Sequence, residues 1–264
     1  MDLQLRHKRA LVTGSTSGIG FATAVALARE GVHVILNGRS AVRVEAAQQR
    51  LLEAVSGAVV DGVAADLGTA EGVQALVAEY ANVDILVNNL GIFEPKAFEE
   101  IDDADWTRMF EVNVMSGVRL ARAYLPGMKQ RNWGRIVFVS SESGANTPAE
   151  MVHYGMSKSA QLAVSRGIAE TTAGTGVTCN AVLPGPTMTE GVGEFFGSLA
   201  AAQDIDLEEA QRRFFAEARP SSLLRRFIAP AEVACLITYL ASPLSAATNG
   251  AALRADGGIV RSIV

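Results

Sequence analysis

Seven short runs of mostly apolar residues punctuate the chain, at 9–14 (RALVTG), 33–38 (HVILNG), 59–66 (VVDGVAAD), 84–89 (DILVNN), 135–140 (RIVFVS), 177–185 (VTCNAVLPG) and 252–258 (ALRADGG). Within most of them the apolar positions follow one another without alternation, as in a strand buried on both faces. The stretches between are longer and carry apolar residues at helical spacing. Strand alternating with helix predicts a parallel sheet wrapped on both sides by right-handed crossover helices, an α/β fold. No Pro/Gly/Ser-rich linker divides the sequence and no repeat is visible, so one domain over 1–264 is expected. Residues 188–228 break the rhythm with a long insertion between the sixth strand and the last helix. Insertions of that length are usually lids over a site or disordered segments.

Composition narrows the class. Hydrophobic residues make up 49% and charged residues 19%, ample material for a buried sheet. The net charge of -5, with no dense Lys/Arg run, argues against a nucleic-acid surface. No stretch approaches the roughly 18 apolar residues of a membrane-spanning helix. The opening MDLQLRHKRALVTG has no signal-peptide character, so a cytoplasmic location is expected. Cys179 and Cys235 stand far apart in apolar contexts and are expected to be reduced core residues. His7, His33 and His153 have no ligand spacing, and no metal site is predicted.

The chemistry lies at the ends of the runs. After the first comes Thr13-Gly14-Ser15-Thr16-Ser17-Gly18-Ile19-Gly20, and then a helical pattern. A glycine turn from strand into helix lets backbone N–H groups and the positive helix terminus meet a pyrophosphate. Three residues separate the first two glycines, so the loop alone leaves a simple tight turn open. Tyr154 and Lys158 are four apart and share a helix face. An ammonium beside a phenol of pKa about 10 favours phenolate, so a lowered Tyr154 pKa is expected. Ser141 follows a strand, where open α/β sheets bind ligands, and its hydroxyl can donate to a developing oxyanion. In isolation Tyr-x-x-x-Lys recurs by chance in many helices.

In order, the glycine loop, Asn88-Asn89-Leu90-Gly91, Asn113, Ser141 thirteen positions before Tyr154, Lys158 and Pro184-Gly185 resemble the short-chain dehydrogenase/reductase family, from about residue 6 to Gly258. The resemblance implies a doubly wound Rossmann fold with a seven-stranded parallel sheet in the order 3-2-1-4-5-6-7. It also implies an NAD(P)-dependent oxidoreductase in which Asn113, Ser141, Tyr154 and Lys158 are catalytic. Tyr154 would pass the proton, Ser141 orient the carbonyl, and Lys158 also hold the nicotinamide ribose. Asn113 would keep a helix irregular and a water placed for proton relay. Cofactor contacts are implied for Gly14, Ser15, Thr16, Ser17, Gly18, Ile19 and Gly20. Asp66 and Leu67 would meet the adenine, Asn89 and Gly91 the adenosine ribose region, and Pro184, Gly185 and Thr187 the nicotinamide side. Asp66 could instead cap the next helix, Asn89 and Gly91 could be turn residues, and Thr187 could face solvent. Leu90 stands where the family usually has alanine and would narrow the cleft.

By the same alignment the acidic position that selects NAD is Gly38, followed by Arg39. A missing carboxylate and an arginine able to bind a 2′-phosphate favour NADP, with NAD second and Asn37, Ser40, Ser15 and Thr16 as neighbouring donors. A solvated surface arginine is the alternative. Leu90, Glu142, Ser143, His153 and Met188, with Ile92, Glu94, Glu150 and the insertion, would line a substrate pocket. No spacing there spells a molecule beyond a carbonyl or alcohol, with 3-oxoacyl thioesters as one candidate class. A hydro-lyase or isomerase on the same scaffold and a non-catalytic NAD(P)-sensing protein are the other function classes. Apolar and small residues around 103–130 and 154–173 exceed what one face needs, which with the resemblance implies a homo-oligomer, dimer or tetramer. Neither nucleic acid nor membrane is expected as a partner.

Overall fold

The computed structural model describes residues 1–263. All seven predicted strands form, as β1 (Arg9–Val12), β2 (His33–Gly38), β3 (Val60–Ala64), β4 (Ile85–Asn88), β5 (Gly134–Val139), β6 (Val177–Pro184) and β7 (Ala252–Ala255). They pair in parallel in the order 3-2-1-4-5-6-7. Every residue of β4, β5 and β6 is buried, which is why these runs carry no alternation. Ala10, Leu11 and Val12 of β1 lie opposite Val34, Ile35 and Leu36 of β2 on one side and Ile85, Leu86 and Val87 of β4 on the other.

Successive strand residues point to opposite faces and so divide the interior in two. Val12, Leu36 and Val87 pack against α1 (Gly18–Arg29), α2 (Ala41–Ala54) and, after the insertion, α9 (Pro230–Ala241). Leu11, Leu86 and Phe138 pack against α3 (Ala70–Glu79), α5 (Ser116–Gln130) and α6 (Val152–Glu170). Each fully buried leucine or phenylalanine contributes about 1.5–3 kcal/mol, so both layers are needed to hold the sheet. The helical stretch around 103–130 is broken: α4 (Asp103–Phe110) runs through a π-helical turn, Glu111–Met115, into α5.

The insertion is a helical hairpin, α7 (Glu190–Ala202) and α8 (Leu207–Glu217), with Thr189 and Asp206 as side-chain N-caps. It has its own apolar cluster, in which Phe196, Phe214 and Phe215 surround Phe227 with ring centroids 5.0–5.4 Å apart. At its base Thr187 and Ile228 pair as an isolated parallel bridge.

Cys179 is buried as expected, but Cys235 is exposed. Its apolar surroundings mislead because α9 buries Val233, Ala234, Ile237 and Leu240 on one face while Tyr239 stays exposed on another. Among the described residues no helix is long and apolar enough to cross a membrane.

Candidate active site

The strand order reverses between β1 and β4, where an open α/β sheet leaves a crevice beyond the strand C-termini. A cavity of about 440 Å³ opens there, walled by Gly38, Arg39, Ser40 and Arg43 on one side and by Leu67, Leu90 and Gly91 on the other. Its floor is the glycine loop. Gly18 adopts φ +58°, the left-handed conformation that starts α1 without a side-chain clash. At Gly20 a Cβ would lie 2.5 Å from Asn89 Nδ2, so the close approach of loop and β4 requires glycine. Asn89 Nδ2 donates to the carbonyls of Thr13 (2.9 Å) and Gly14 (3.1 Å), tying the loop to β4. Ile19 packs into the core layer behind the loop.

Several expected cofactor residues take other positions. Ser15 is buried, its hydroxyl donating to the Val12 carbonyl (2.7 Å) and accepting from the Asn37 N–H (2.9 Å). Asn37 is buried too, its amide donating to the Val63 and Ala65 carbonyls. Both side chains buttress the loop; Thr16, Ser17 and Asn37 line the cavity, and Ser15 does not. The Asp66 carboxylate accepts from the Gly68 N–H, and the N-cap of α3 is Thr69. At the end of β6, Pro184 and Gly185 are buried, and Thr187 turns its hydroxyl to the Gly185 carbonyl (2.9 Å). The residues of that turn that reach the glycine loop are Thr189, whose methyl would lie 3.1 Å from a Cβ at Gly18, and Glu190. Glu190 Oε2 accepts from the Gly18 N–H (2.8 Å), and Oε1 lies 3.7 Å from Arg50 Nη2. Arg43, Thr189 and Glu190 were not singled out from sequence; only Arg43, one helical turn past Arg39, had a signal there.

Ser141 follows β5 in an extended conformation and caps a 3-10 turn, Glu142–Gly144. Its Oγ accepts from the Ser143 N–H (3.1 Å) and donates to Glu142 Oε2 (2.5 Å). Tyr154 and Lys158 lie one turn apart on α6. Burial pushes the Tyr154 hydroxyl up to about 12, partly offset by its hydrogen bond with Ser141; the Glu142 charge raises it further and Arg219 lowers it. Burial also brings Lys158 down to about 8, against the pull of Glu142. The lowered phenol pKa expected from Lys158 is therefore not what the fold produces. The Lys158 ammonium is aimed at the Val139 carbonyl (3.0 Å) and Gln161 Oε1 (3.2 Å), 5.6 Å from the Tyr154 ring centre, and desolvation of the phenol outweighs it.

Asn113 sits in the π-helical turn, which interrupts the i→i−4 ladder. Its side chain holds both backbone groups of Ile92 (2.7 and 2.9 Å) and donates to Ser157 Oγ (2.9 Å). The Asn113 backbone carbonyl accepts from Gln161 Nε2 (2.6 Å). Gln161, which sequence reading did not single out, thus joins Lys158 to Asn113.

On the open side, Glu142 is 6% exposed although no apolar neighbour in sequence hints at burial. Arg219, just past α8, brings Nε to 3.5 Å from Glu142 Oε1 and Nη1 to 3.2 Å from Glu150 Oε1. Phe93, exposed, sits edge-on to the Tyr154 ring at 6.4 Å. Leu90 lines the cavity, Ser143 is buried, and Met188 packs on the insertion's aromatic cluster. His153 is not brought to the cleft: it is fully buried, its ring 6.0 Å from that of Trp106. No group of three or more His, Cys, Asp or Glu among the described residues is placed to hold a metal ion.

A family model described as short chain dehydrogenase matches residues 8–198. The uncharacterized oxidoreductase YvaG of Bacillus subtilis is 51% identical over 263 residues, spanning 100% of both chains. D-beta-hydroxybutyrate dehydrogenase of Cupriavidus necator is 35% identical over 260 residues, 97% of this chain and 99% of that one. The crystal structure of L-sorbose reductase from Gluconobacter frateurii, complexed with NADPH and L-sorbose, superposes with a TM-score of 0.93 at 30% identity over 100% of both chains.

Proposed function

The chain belongs to the short chain dehydrogenase family, and from that membership we propose that it is an NADP-dependent oxidoreductase interconverting a carbonyl and an alcohol through Ser141, Tyr154, Lys158 and Asn113. The observation that carries this reading is the placement of Tyr154 and Lys158 one turn apart on α6, with Lys158 Nζ 5.6 Å from the Tyr154 ring centre, beside Ser141 at the end of β5 on the C-terminal edge of the sheet. The NADPH complex of the structural neighbour supports the cofactor.

The residues present fit a dinucleotide. The Gly18 amide already holds an anion, the Glu190 carboxylate, and the position that would carry an NAD-selecting carboxylate is Gly38, where a Cβ would lie 2.6 Å from the Thr16 methyl and push it aside. Among the described residues no acidic one lines the cavity, whereas Arg39 and Arg43 do. The glycine loop would hold the pyrophosphate, Arg39 and Arg43 the 2′-phosphate, Leu67, Asn89 and Gly91 the adenosine, and Lys158 the nicotinamide ribose. When bound, the nicotinamide supplies or accepts the hydride at the substrate carbon.

In the reducing direction Tyr154 gives its proton to the carbonyl oxygen, and its raised pKa keeps it protonated for that step. Ser141 donates a hydrogen bond to the same oxygen. A charged Lys158 stabilises the phenolate left behind, and Asn113 with Gln161 fixes where the ammonium stands. We read the protein further as a cytoplasmic homo-oligomer acting on small molecules, with α4 and α5 in the contact, where Phe110 is 39% exposed. A monomer by light scattering at micromolar concentration would contradict the oligomer.

Initial rates with the two reduced cofactors test the assignment. Arg39→Ala should raise KM for NADPH at least tenfold, a loss of about 1.4 kcal/mol, and leave KM for NADH little changed. A wild-type enzyme faster with NADH at low cofactor concentration would overturn the NADP assignment.

A further inference from the structure

Glu142 is a carboxylate buried beside the reacting groups, and the proton chemistry described above does not use it. Its side chain is 7% exposed. One oxygen accepts from Ser141 Oγ (2.5 Å) and from the Ser143 N–H (3.0 Å), and the other faces Arg219 Nε at 3.5 Å. A buried carboxylate costs several kcal/mol unless it is paired and hydrogen-bonded, and here Arg219 and these donors meet that need.

The arrangement poses a problem for catalysis. A serine hydroxyl has a single proton, and in this structure Ser141 gives it to Glu142. To donate to a carbonyl oxygen, Ser141 must turn away, leaving Glu142 Oε2 with the Ser143 N–H but without the hydroxyl proton it held. A plain ketone or a 3-oxoacyl thioester brings no donor near its carbonyl. A substrate carboxylate would bring a like charge. A hydroxyl on the carbon next to the carbonyl brings the missing proton to the right place. Its oxygen lies about 2.8 Å from the carbonyl oxygen, the span of an O–H···O hydrogen bond, and so matches the 2.5 Å between Ser141 Oγ and Glu142 Oε2.

We propose that Glu142 is a specificity-determining residue that accepts a hydrogen bond from a hydroxyl adjacent to the reacting carbon, so that the enzyme selects α-hydroxy ketones in reduction and vicinal diols in oxidation. This rests on the carbonyl–alcohol reading of the same site. Arg219 compensates the charge of Glu142 and, coming from the segment after α8, places the insertion over this part of the pocket.

The test uses matched pairs differing by one hydroxyl: hydroxyacetone against acetone, and acetoin against butanone. Wild-type kcat/KM should favour the hydroxylated member at least tenfold, about 1.4 kcal/mol. In Glu142→Gln that ratio should fall to within about threefold, because a neutral amide oxygen is a weaker acceptor than a carboxylate. Glu150→Gln, which removes the other partner of Arg219 but leaves Glu142 and its donors in place, should change both members alike and keep the ratio. An unchanged ratio in Glu142→Gln, or a ratio lost equally in Glu150→Gln, overturns the proposal. Binding of 2,3-butanediol and 2-butanol, followed by saturation-transfer NMR on a Tyr154→Phe background, separates the two levels. Glu142-dependent preference for the diol without wild-type turnover of any ketone would sink the oxidoreductase reading and leave the hydroxyl contact. Turnover without any hydroxyl preference would do the reverse.

Discussion

Tyr154 is held as a phenol, and its proton is what the proposed reaction consumes. Tyr154→Phe removes only the oxygen, leaving the ring against Phe93 and Lys158 on its carbonyl anchors. Turnover is expected to fall at least about a hundredfold, with cofactor affinity nearly unchanged, since general acid–base groups contribute about 10²–10⁴-fold. A variant keeping most of its turnover would remove Tyr154 from the mechanism. With burial raising the group from 10 to about 12, ultraviolet difference titration of wild type against this variant should show no Tyr154 phenolate up to pH 10 in the cofactor-free protein. A Tyr154-dependent step below pH 9 would show that Lys158 dominates after all. Ser141, Tyr154 and Lys158 were legible because fixed spacings on one strand end and one helix face carry them. Gln161 shares the helix with Lys158 and could have been found three residues on. Arg219 comes from a distant segment, and only the folded chain brings it to Glu142.

The strands are the elements that sequence predicts best, because burial on both faces writes an unbroken apolar run. The insertion at 188–228 left two outcomes open, lid or disorder, and the reason is local. Glycines at 191, 193 and 197 weaken the helical signal of α7, while the aromatic cluster that stabilises it needs Phe227, which lies beyond α8. The hairpin's stability is therefore collective and tertiary, invisible in either helix alone. Phe196→Ala should break it, since truncating a buried phenylalanine costs about 3–5 kcal/mol, more than a two-helix element is expected to spare. Hydrogen exchange should lose protection across 190–217 while the central strands keep theirs, and KM for substrate should rise. Loss spread evenly over sheet and hairpin would mean that the hairpin is not a separate unit of stability.

At the scale of the whole molecule the two core layers fix the sheet, and the glycine loop and the hairpin meet where Glu190 accepts from the Gly18 amide. That hydrogen bond makes the chain its own competitive anion. A dinucleotide phosphate directed to the start of α1 has to evict a group tethered to the protein, so the apparent dissociation constant is the intrinsic one divided by the fraction of molecules with Glu190 already withdrawn. Glu190→Gln weakens the internal competitor without touching the amide, and calorimetric titration should give NADPH binding about three- to tenfold tighter, up to about 1.4 kcal/mol. Equal affinities would mean that the contact opens at no cost. A tether of this kind also couples the two reactants: the dinucleotide favours molecules in which Glu190 is withdrawn, so the second reactant meets a hairpin with one fewer hold on the glycine loop.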